Sequence, residues 1–519
     1  MAHPHEKLAD SLEALKKLQE RGVVAVHSSD LTRTHRERLV RNGFLQEVMK
    51  GWYIPVRPDE VRGASTAWYA AYWDFLAGYL DARFGTSWSL SPEQSLTLHA
   101  GNMTIPRQLL VRSPKARNKI TMLPHDTSIF DTRAALPGAR QLAEKEGLRL
   151  FSIPAGLVSC GSVFYHHKAT DARAVLAMVR NASDVLELLL AGGRTSVAGR
   201  LAGAFRNIGR GRIADDIVKT MRTAGYDIRE KDPFENTTNL ILQAQKQSPY
   251  VNRIRLMWQQ MREPILKQFP AAPGHTPNID AYLKAADDIF VTDAYHSLSI
   301  EGYRVSPVLI EKVRRGKWNP DVNEEDREHG NAVAARGYWQ SFQAVRESVR
   351  KVLGGENPGT VCDEDHGEWY REMFGPSVTA GLLRATDLAG YRNDRVFIHS
   401  SMHVPPSYEA VRDCMPTLFD LLREESEPSV RVVLGHFVFV YIHPYMDGNG
   451  RMGRFLMNVM LAGGGYPWTV IPLEKRKDYI AALESASVEL NIAPFAKFLG
   501  LLVSGRLEGK PAPHAPSTY

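Results

Sequence analysis

The residues most able to do chemistry together are His443–Arg454, HPYMDGNGRMGR, which follow the apolar stretch ending at Ile442. His443 is the side chain there that accepts a proton near neutral pH. Pro444 presets a turn, because it does not continue a helix comfortably. Gly448-Asn449-Gly450 gives a backbone able to curl until successive N–H groups face one point, a nest for phosphate oxygens. A helix starting near Arg451 and running through Asn458 to Leu461 turns its positive end to the same point. Arg451 and Arg454, three apart, are neighbours on that helix, and two guanidiniums beside a nest suit a polyphosphate. Asp447 is an isolated carboxylate, as needed for Mg2+ held partly by substrate phosphates. Each feature alone reads as an ordinary turn or a structural histidine. In twelve residues they supply a base, a metal ligand, a nest and two cations in order.

This segment is similar to the signature of the Fic family, HPFx(D/E)GNGRxxR, with Tyr445 where Phe is usual. NAVAARGY from Asn331, Gly390–Arg392, HVPPSYEAV from His403 and Gly465-Tyr466-Pro467 also look like Fic landmarks, spanning Ile289–Leu502. The resemblance implies an all-helical domain that moves AMP from ATP onto a protein Ser, Thr or Tyr hydroxyl. His443 would be the base and Asp447 the Mg2+ ligand. Asn449 with the Gly448 and Gly450 amides would cradle the phosphates, and Arg451 would support the β-phosphate and leaving pyrophosphate. Asn458 and Tyr479 would line the nucleotide pocket. Phe397, Ile398, His399 and Ser400 fall where the family has a β-hairpin flap that pairs with the target backbone, a form of strand addition. Doc-like kinases carry Ala and Lys where this chain has Gly448 and Gly450, so the glycines favour AMP transfer over phosphorylation.

SLSIEG, Ser297–Gly302, reads locally as a helix end with a glycine C-cap. It also fits the family's inhibitory motif (S/T)xxxE(G/N). The resemblance then implies that Glu301 takes Arg454 from the ATP γ-phosphate. A charge-assisted carboxylate–guanidinium pair is directional enough for that.

Several helical patterns must position these residues: Ile279–Ser299, Asn331–Val352, Glu368–Leu383, Ser407–Arg423 and Val430–Tyr441. They make residues 279–505 mostly α. KQFPAAPGHTPN, Lys267–Asn278, reads as a boundary, and residues 506–519 as a disordered tail. The expected fold class is mainly α, with a mixed α+β region over residues 61–250 and a winged helix-turn-helix over residues 1–60.

In that first unit, Leu8, Leu12, Leu15 and Leu18 predict one helix. Ser29-Asp30 predicts the N-cap of a second over Leu31–Arg41, and Gly51 marks a hairpin within Leu45–Ile54. Arg33, Arg36, Arg38 and Arg41 are opposed only by Glu37 on the second helix, which suits contact with DNA phosphates and base edges. The bland alternative is a solvated basic helix in a protein-binding module. The stretch from Leu31 to Asp59 resembles the winged helix of AbiEi-like antitoxins, and residues 61–250 resemble their body more diffusely. Arg206, Arg210 and Arg212 form a second basic knot, read as a solvated face.

The whole sequence is compatible with this organisation. It has 519 residues, 44% hydrophobic and 24% charged, with a net charge of +6, which excludes collagen-like and wholly disordered classes. Cys160, Cys362 and Cys414 are too scattered for a disulfide framework or Cys-based zinc site. The N-terminus lacks a signal-peptide apolar core, and Val432–Ile442 is too short to span a bilayer. The expectation is a cytoplasmic protein without membrane partners.

Two readings of function follow. One is an autoinhibited adenylyltransferase that also modifies itself, with ATP and a hydroxyl-bearing protein as partners and a homo-oligomer as a further one. The other is a DNA-binding, antitoxin-like regulator whose Fic domain senses nucleotide.

Overall fold

The computed structural model describes residues 4–58, 65–234, 248–274, 278–318 and 330–515. The fold is mainly helical, and the described residues form two compact units. The first comprises residues 1–253 together with 397–404; the second comprises 254–396 and 405–519.

The first unit opens with α1 (Pro4–Glu20), β1 (Val26–His27), α2 (Arg33–Arg41), β2 (Leu45–Met49) and β3 (Trp52–Pro55). The strands form an antiparallel sheet in the order β1-β3-β2. Gly51 turns between the last two with φ of 84°. Leu15, Val26, Leu31, Leu39 and Leu45 make the small core. The cap of α2 is not at Ser29-Asp30: Thr32 accepts from the His35 N–H at 3.3 Å, whereas Asp30 accepts from the His27 N–H at 2.7 Å. Asp30 thus closes a local turn, and Thr32 is the hydroxyl at the distance an N-cap requires.

Next come α3 (Thr66–Phe84), β4 (Ser89–Leu90), α4 (Pro92–His99), β5 (Gln108–Ser113), β6 (Lys119–Leu123) and β7 (Thr127–Arg133). The sheet order is β4-β5-β7-β6, with β5 parallel to β7 and the other pairs antiparallel. Trp68, Tyr72, Phe75, Leu76, Leu80 and Phe84 on α3 share a core with Leu109, Val111 and Ile129 of this sheet. A hairpin, β8 (Leu142–Lys145) and β9 (Leu148–Phe151), precedes short helices α5 (Ile153–Ser159), α6 (Val163–His167), α7 (Ala169–Met178), α8 (Ser183–Ala191), α9 (Thr195–Asn207) and α10 (Gly211–Thr223). α11 (Pro249–Gln268) carries the chain out of the unit between Arg253 and Ile254.

The eight residues 397–404 return to the first unit. The Ser400 N–H donates to Thr66 Oγ1 at 3.1 Å, and the Ile105 N–H donates to the Met402 carbonyl at 3.0 Å. Met402 and Val404 pack on the aromatic core of α3.

The second unit contains α12 (Ile279–Ile300), α13 (Pro307–Arg314), α14 (Gly330–Leu353), α15 (Pro358–Thr379), α16 (Tyr408–Glu424), α17 (Pro428–Ile442), α18 (Asn449–Gly463), α19 (Arg476–Val488) and α20 (Ala493–Leu507). Side-chain caps start several of them: Asn278 accepts from Ala281 N–H, Ser306 from Leu309, and Ser407 from Ala410. α15 begins ten residues before the expected Glu368 because Asn357 accepts from the Gly359 and Thr360 N–H groups and Pro358 fits the first turn. It stops at Thr379, where Gly381 adopts φ of 70°. α17 is apolar almost all round and buried along nearly its whole length. Of the expected boundary at 267–278, residues 275–277 lie outside the described residues; α20 carries helix to Leu507, and of the expected tail, residues 516–519 lie outside the described residues. Among the described residues no helix is long and apolar enough to cross a membrane.

Candidate nucleotide site

The site is built where α17 ends and α18 begins. His443 is the C-cap of α17 and sits in the left-handed region, φ 53° and ψ 62°. That conformation stops the helix at the histidine itself. Its Nδ1 lies 3.2 Å from the Val440 carbonyl. This contact assigns the proton to Nδ1 and leaves the lone pair on Nε2. Burial lowers its pKa to about 4, against the smaller raising effects of the Val440 contact and the Glu301 and Asp447 charges. The ring is therefore neutral, the form a base requires.

Gly448, with φ of 81°, is the N-cap of α18. A Cβ there would lie 2.7 Å from Phe374 Cε2, so the turn and the approach of the Phe374 ring both require glycine. The Gly448 N–H donates to Asp447 Oδ1 at 2.6 Å. The Asp447 side chain is otherwise largely in solvent, 67% exposed, with Arg451 Nη2 at 3.2 Å. Among the described residues no three His, Cys, Asp or Glu side chains converge as a metal group. A lone exposed carboxylate at a helix N-terminus has the donor set of a Mg2+ ion ligated mostly by substrate phosphates and water, so Asp447 fits that ion.

Arg454 is buried and donates through Nη2 to Glu301 Oε1 at 2.6 Å and to the Ser297 carbonyl at 3.0 Å. Its Nε donates to Ser297 Oγ at 2.9 Å. Burial alone would raise the Glu301 pKa, but the Arg454 and Arg451 guanidiniums hold the carboxyl below the usual range. Gly450 makes room for this contact, since a Cβ there would collide with Glu301 Oε1. Glu301 is the C-cap of α12, and Gly302 follows with φ of 91°. The end of α12 is fastened by Leu473 N–H donating to His296 Nδ1 at 3.1 Å and by Arg476 Nε donating to the Ile300 carbonyl at 2.8 Å. One turn earlier, Tyr338 Oη donates to buried Asp293 Oδ2 at 2.7 Å.

His443, Asp447, Gly448, Gly450, Arg451, Arg454, Ser297, Glu301 and Gly302 thus belong to one site in the second unit. Three other expected residues have different local tasks. Asn449 spends its amide on Tyr445, accepting from its N–H at 2.9 Å and donating to its carbonyl at 2.8 Å. It shapes the loop. Asn458 accepts from Thr469 N–H at 2.9 Å and donates to the Arg454 and Thr469 carbonyls. Tyr479 is buried, with Oη 2.8 Å from His436 Nε2. Phe397, Ile398, His399 and Ser400 form no strand and are held in the first unit as described above. The Ser400 N–H is already paired there with Thr66 Oγ1.

The four arginines of α2 do not share one outward face. Arg33 is exposed and pairs with Glu37 at 2.6 Å, and Arg41 is exposed at the helix end. Arg36 donates to the Ser28 carbonyl at 2.8 Å, and Arg38 donates to the Lys7 carbonyl and to Ser11 Oγ. In the knot beyond, Arg206 pairs with Glu230 and Asp215, and Arg210 donates to the carbonyls of Ala177, Val179 and Arg180.

Sequence reasoning missed Arg392. It is buried, its guanidinium donates to the carbonyls of His443 at 2.8 Å and Asp394 at 3.0 Å and also to that of Pro406, and its own N–H donates to the Pro444 carbonyl at 2.9 Å. Its position in Gly390–Arg392, beside the motif only in space, was the available signal.

A left-handed histidine closing an apolar helix, a glycine turn and two arginines on the next helix are thus brought together at the start of α18. Residues 365–461 match the Fic/DOC family. The chain is similar to a protein adenylyltransferase Fic of Drosophila willistoni, 37% identical over 42% of this chain and 41% of that protein. It is also similar to one of Nematostella vectensis, 40% identical over 42% of this chain and 47% of that protein. The chain spans less than half the length of these curated relatives. Among solved structures, Fic-1 from C. elegans aligns with a TM-score of 0.37 and 20% identity, covering 67% of this chain and 97% of that one.

Proposed function

We propose that this protein is an autoinhibited protein adenylyltransferase that transfers AMP from ATP to a Ser, Thr or Tyr hydroxyl of a target protein and of itself. The carrying observation is that Glu301 occupies Arg454 at 2.6 Å beside a histidine kept neutral. His443 Nε2 takes the proton of the incoming hydroxyl, whose oxygen forms a bond to the α-phosphorus as the bond to pyrophosphate breaks. The Gly448 and Gly450 backbone and the N-terminus of α18 receive the phosphates, and Arg451 meets the charge that develops on the leaving group. Asp447 would hold Mg2+, which neutralises phosphate charge. With Arg454 paired to Glu301, the γ-phosphate lacks its cation and the triphosphate sits out of line; a displacement of about 1 Å costs roughly a hundredfold in rate. Intact mass after incubation with Mg2+ and ATP tests this. An AMP-sized increment should grow in Glu301→Gly and vanish in Glu301→Gly/His443→Ala. Equal labelling of wild type and Glu301→Gly would sink the autoinhibition.

A second role, in DNA binding, is favoured by the three-stranded sheet packed beside a basic α2. Because the guanidiniums of Arg36 and Arg38 already donate to Ser28, Lys7 and Ser11, Arg33 and Arg41 would carry the phosphate contacts. Replacing both should flatten the slope of log affinity against log salt by about 2, at ~0.9 per contact. Binding that is absent or insensitive to salt would leave the unit as a protein-interaction module.

A further inference from the structure

The two motif arginines are held in different ways. Arg454 meets the carboxylate of Glu301; Arg451, which reaches Asp447 through Nη2, also lies over two aromatic rings. Its Cζ is 5.1 Å from the centroid of Tyr303 and 5.1 Å from that of Phe374. The side chain is buried, 1% exposed, and its Nε has no acceptor. Phe374 continues a row of rings: it lies 5.0 Å from Tyr370, which stacks on Tyr445 at 3.9 Å and 7°. One wall of the arginine slot is therefore fixed to the HPY turn of the motif itself. The other wall is Tyr303, next after Gly302, and its N–H donates to the Leu298 carbonyl at 3.1 Å.

A carboxylate neutralises the guanidinium it meets, but an aromatic face does not. It holds the plane of the cation, leaves the charge in place and leaves the N–H edge free for an oxyanion. On that edge Nη2 donates to the exposed Asp447 Oδ2 at 3.2 Å, and among the described residues Nε has no acceptor.

We propose that Tyr303 is a positioning residue for Arg451, so that the segment carrying the inhibitory Glu301 also completes the pyrophosphate subsite. The loop after α12 thus has two opposed effects. Glu301 withholds one arginine, and Tyr303 pre-orients the other for the leaving group. The inference rests on the transferase reading for its role in the reaction, and its binding consequence can be measured apart from it.

The test uses the full chain in the Glu301→Gly background, with Tyr303→Leu, Tyr303→Ser and Tyr303→Phe added one at a time. Calorimetric titration with inorganic pyrophosphate and Mg2+ should show affinity falling about tenfold in the Leu and Ser variants and held in Phe. AMP transfer, followed as kcat/KM for ATP, should fall by a similar factor in Leu and recover in Phe. Tyr303 is half-buried on a loop, so thermal melts should be close to the parent in all three. Pyrophosphate affinity in Leu equal to the parent's would overturn the proposal. So would Tyr303→Leu raising transfer while Glu301 is present, because Tyr303 would then be a second latch. If Glu301→Gly transfers no AMP yet pyrophosphate affinity follows the ring, the subsite stands and the transferase reading fails.

Discussion

At His443 two influences oppose each other, and their balance sets the pH response. Burial lowers the imidazole pKa to about 4, while the Val440 carbonyl and the charges of Glu301 and Asp447 raise it by less. A base titrating at the ordinary value of about 6.5 would lose half its activity there. With the lowered value the neutral form persists well below neutrality, and removing Glu301 takes away one of the raising charges. The kcat/KM of Glu301→Gly should therefore stay flat from about pH 8 to about pH 6, with the acid limb below about pH 5. An inflection near pH 6.5 belonging to His443 would contradict the burial argument. On the same reasoning, His443→Ala should lower transfer by at least about a hundredfold while leaving nucleotide affinity within about twofold, as measured by equilibrium binding. Glu301→Gly should raise transfer by about tenfold or more, because Arg454 is then free to meet the γ-phosphate.

The elements that hold these side chains depend on the ends of helices more than on their middles. α17 must stop at His443, and the carbonyls freed by that stop need donors. Arg392 supplies them, together with a donor for Asp394 and Pro406. Arg392→Met should leave these buried carbonyls without partners. The expected loss is about 2–4 kcal/mol of stability, read by denaturant melts, with a larger loss of transfer than of nucleotide binding. The same dependence on helix ends explains what the sequence made legible. His443, the glycines and the arginines were readable because their chemistry is compressed into twelve adjacent residues. Ser297 and Glu301 were readable through a spaced motif. The start of α15 was obscured because CDEDHGEWY has no clear apolar period, although Val361 and Cys362 on it are buried. Tyr303 and Phe374 each look like ordinary aromatic residues; only the fold brings both to Arg451. The bonds of the Asn449 amide to the Tyr445 main chain were not legible in the sequence, because they depend on how the loop closes.

For the whole molecule, connectivity matters as much as contacts. The chain passes between the two units at residues 253/254, 396/397 and 404/405. A chain beginning at Ile254 would lack Thr66, Ile105 and the aromatic core of α3, which hold Ser400, Met402 and Val404. Limited proteolysis followed by mass spectrometry should then find new cuts within residues 397–404 of the truncated chain that the full chain resists. Equal resistance would mean that this stretch has its own means of order. The same excursion restricts inheritance. Recombination at a single breakpoint could not give the second unit a different first unit cleanly, because eight residues encoded far downstream, 397–404, would still be shaped for the old one. A viable exchange needs a second, matching change at residues 397–404, so the two are expected to diverge together as one lineage.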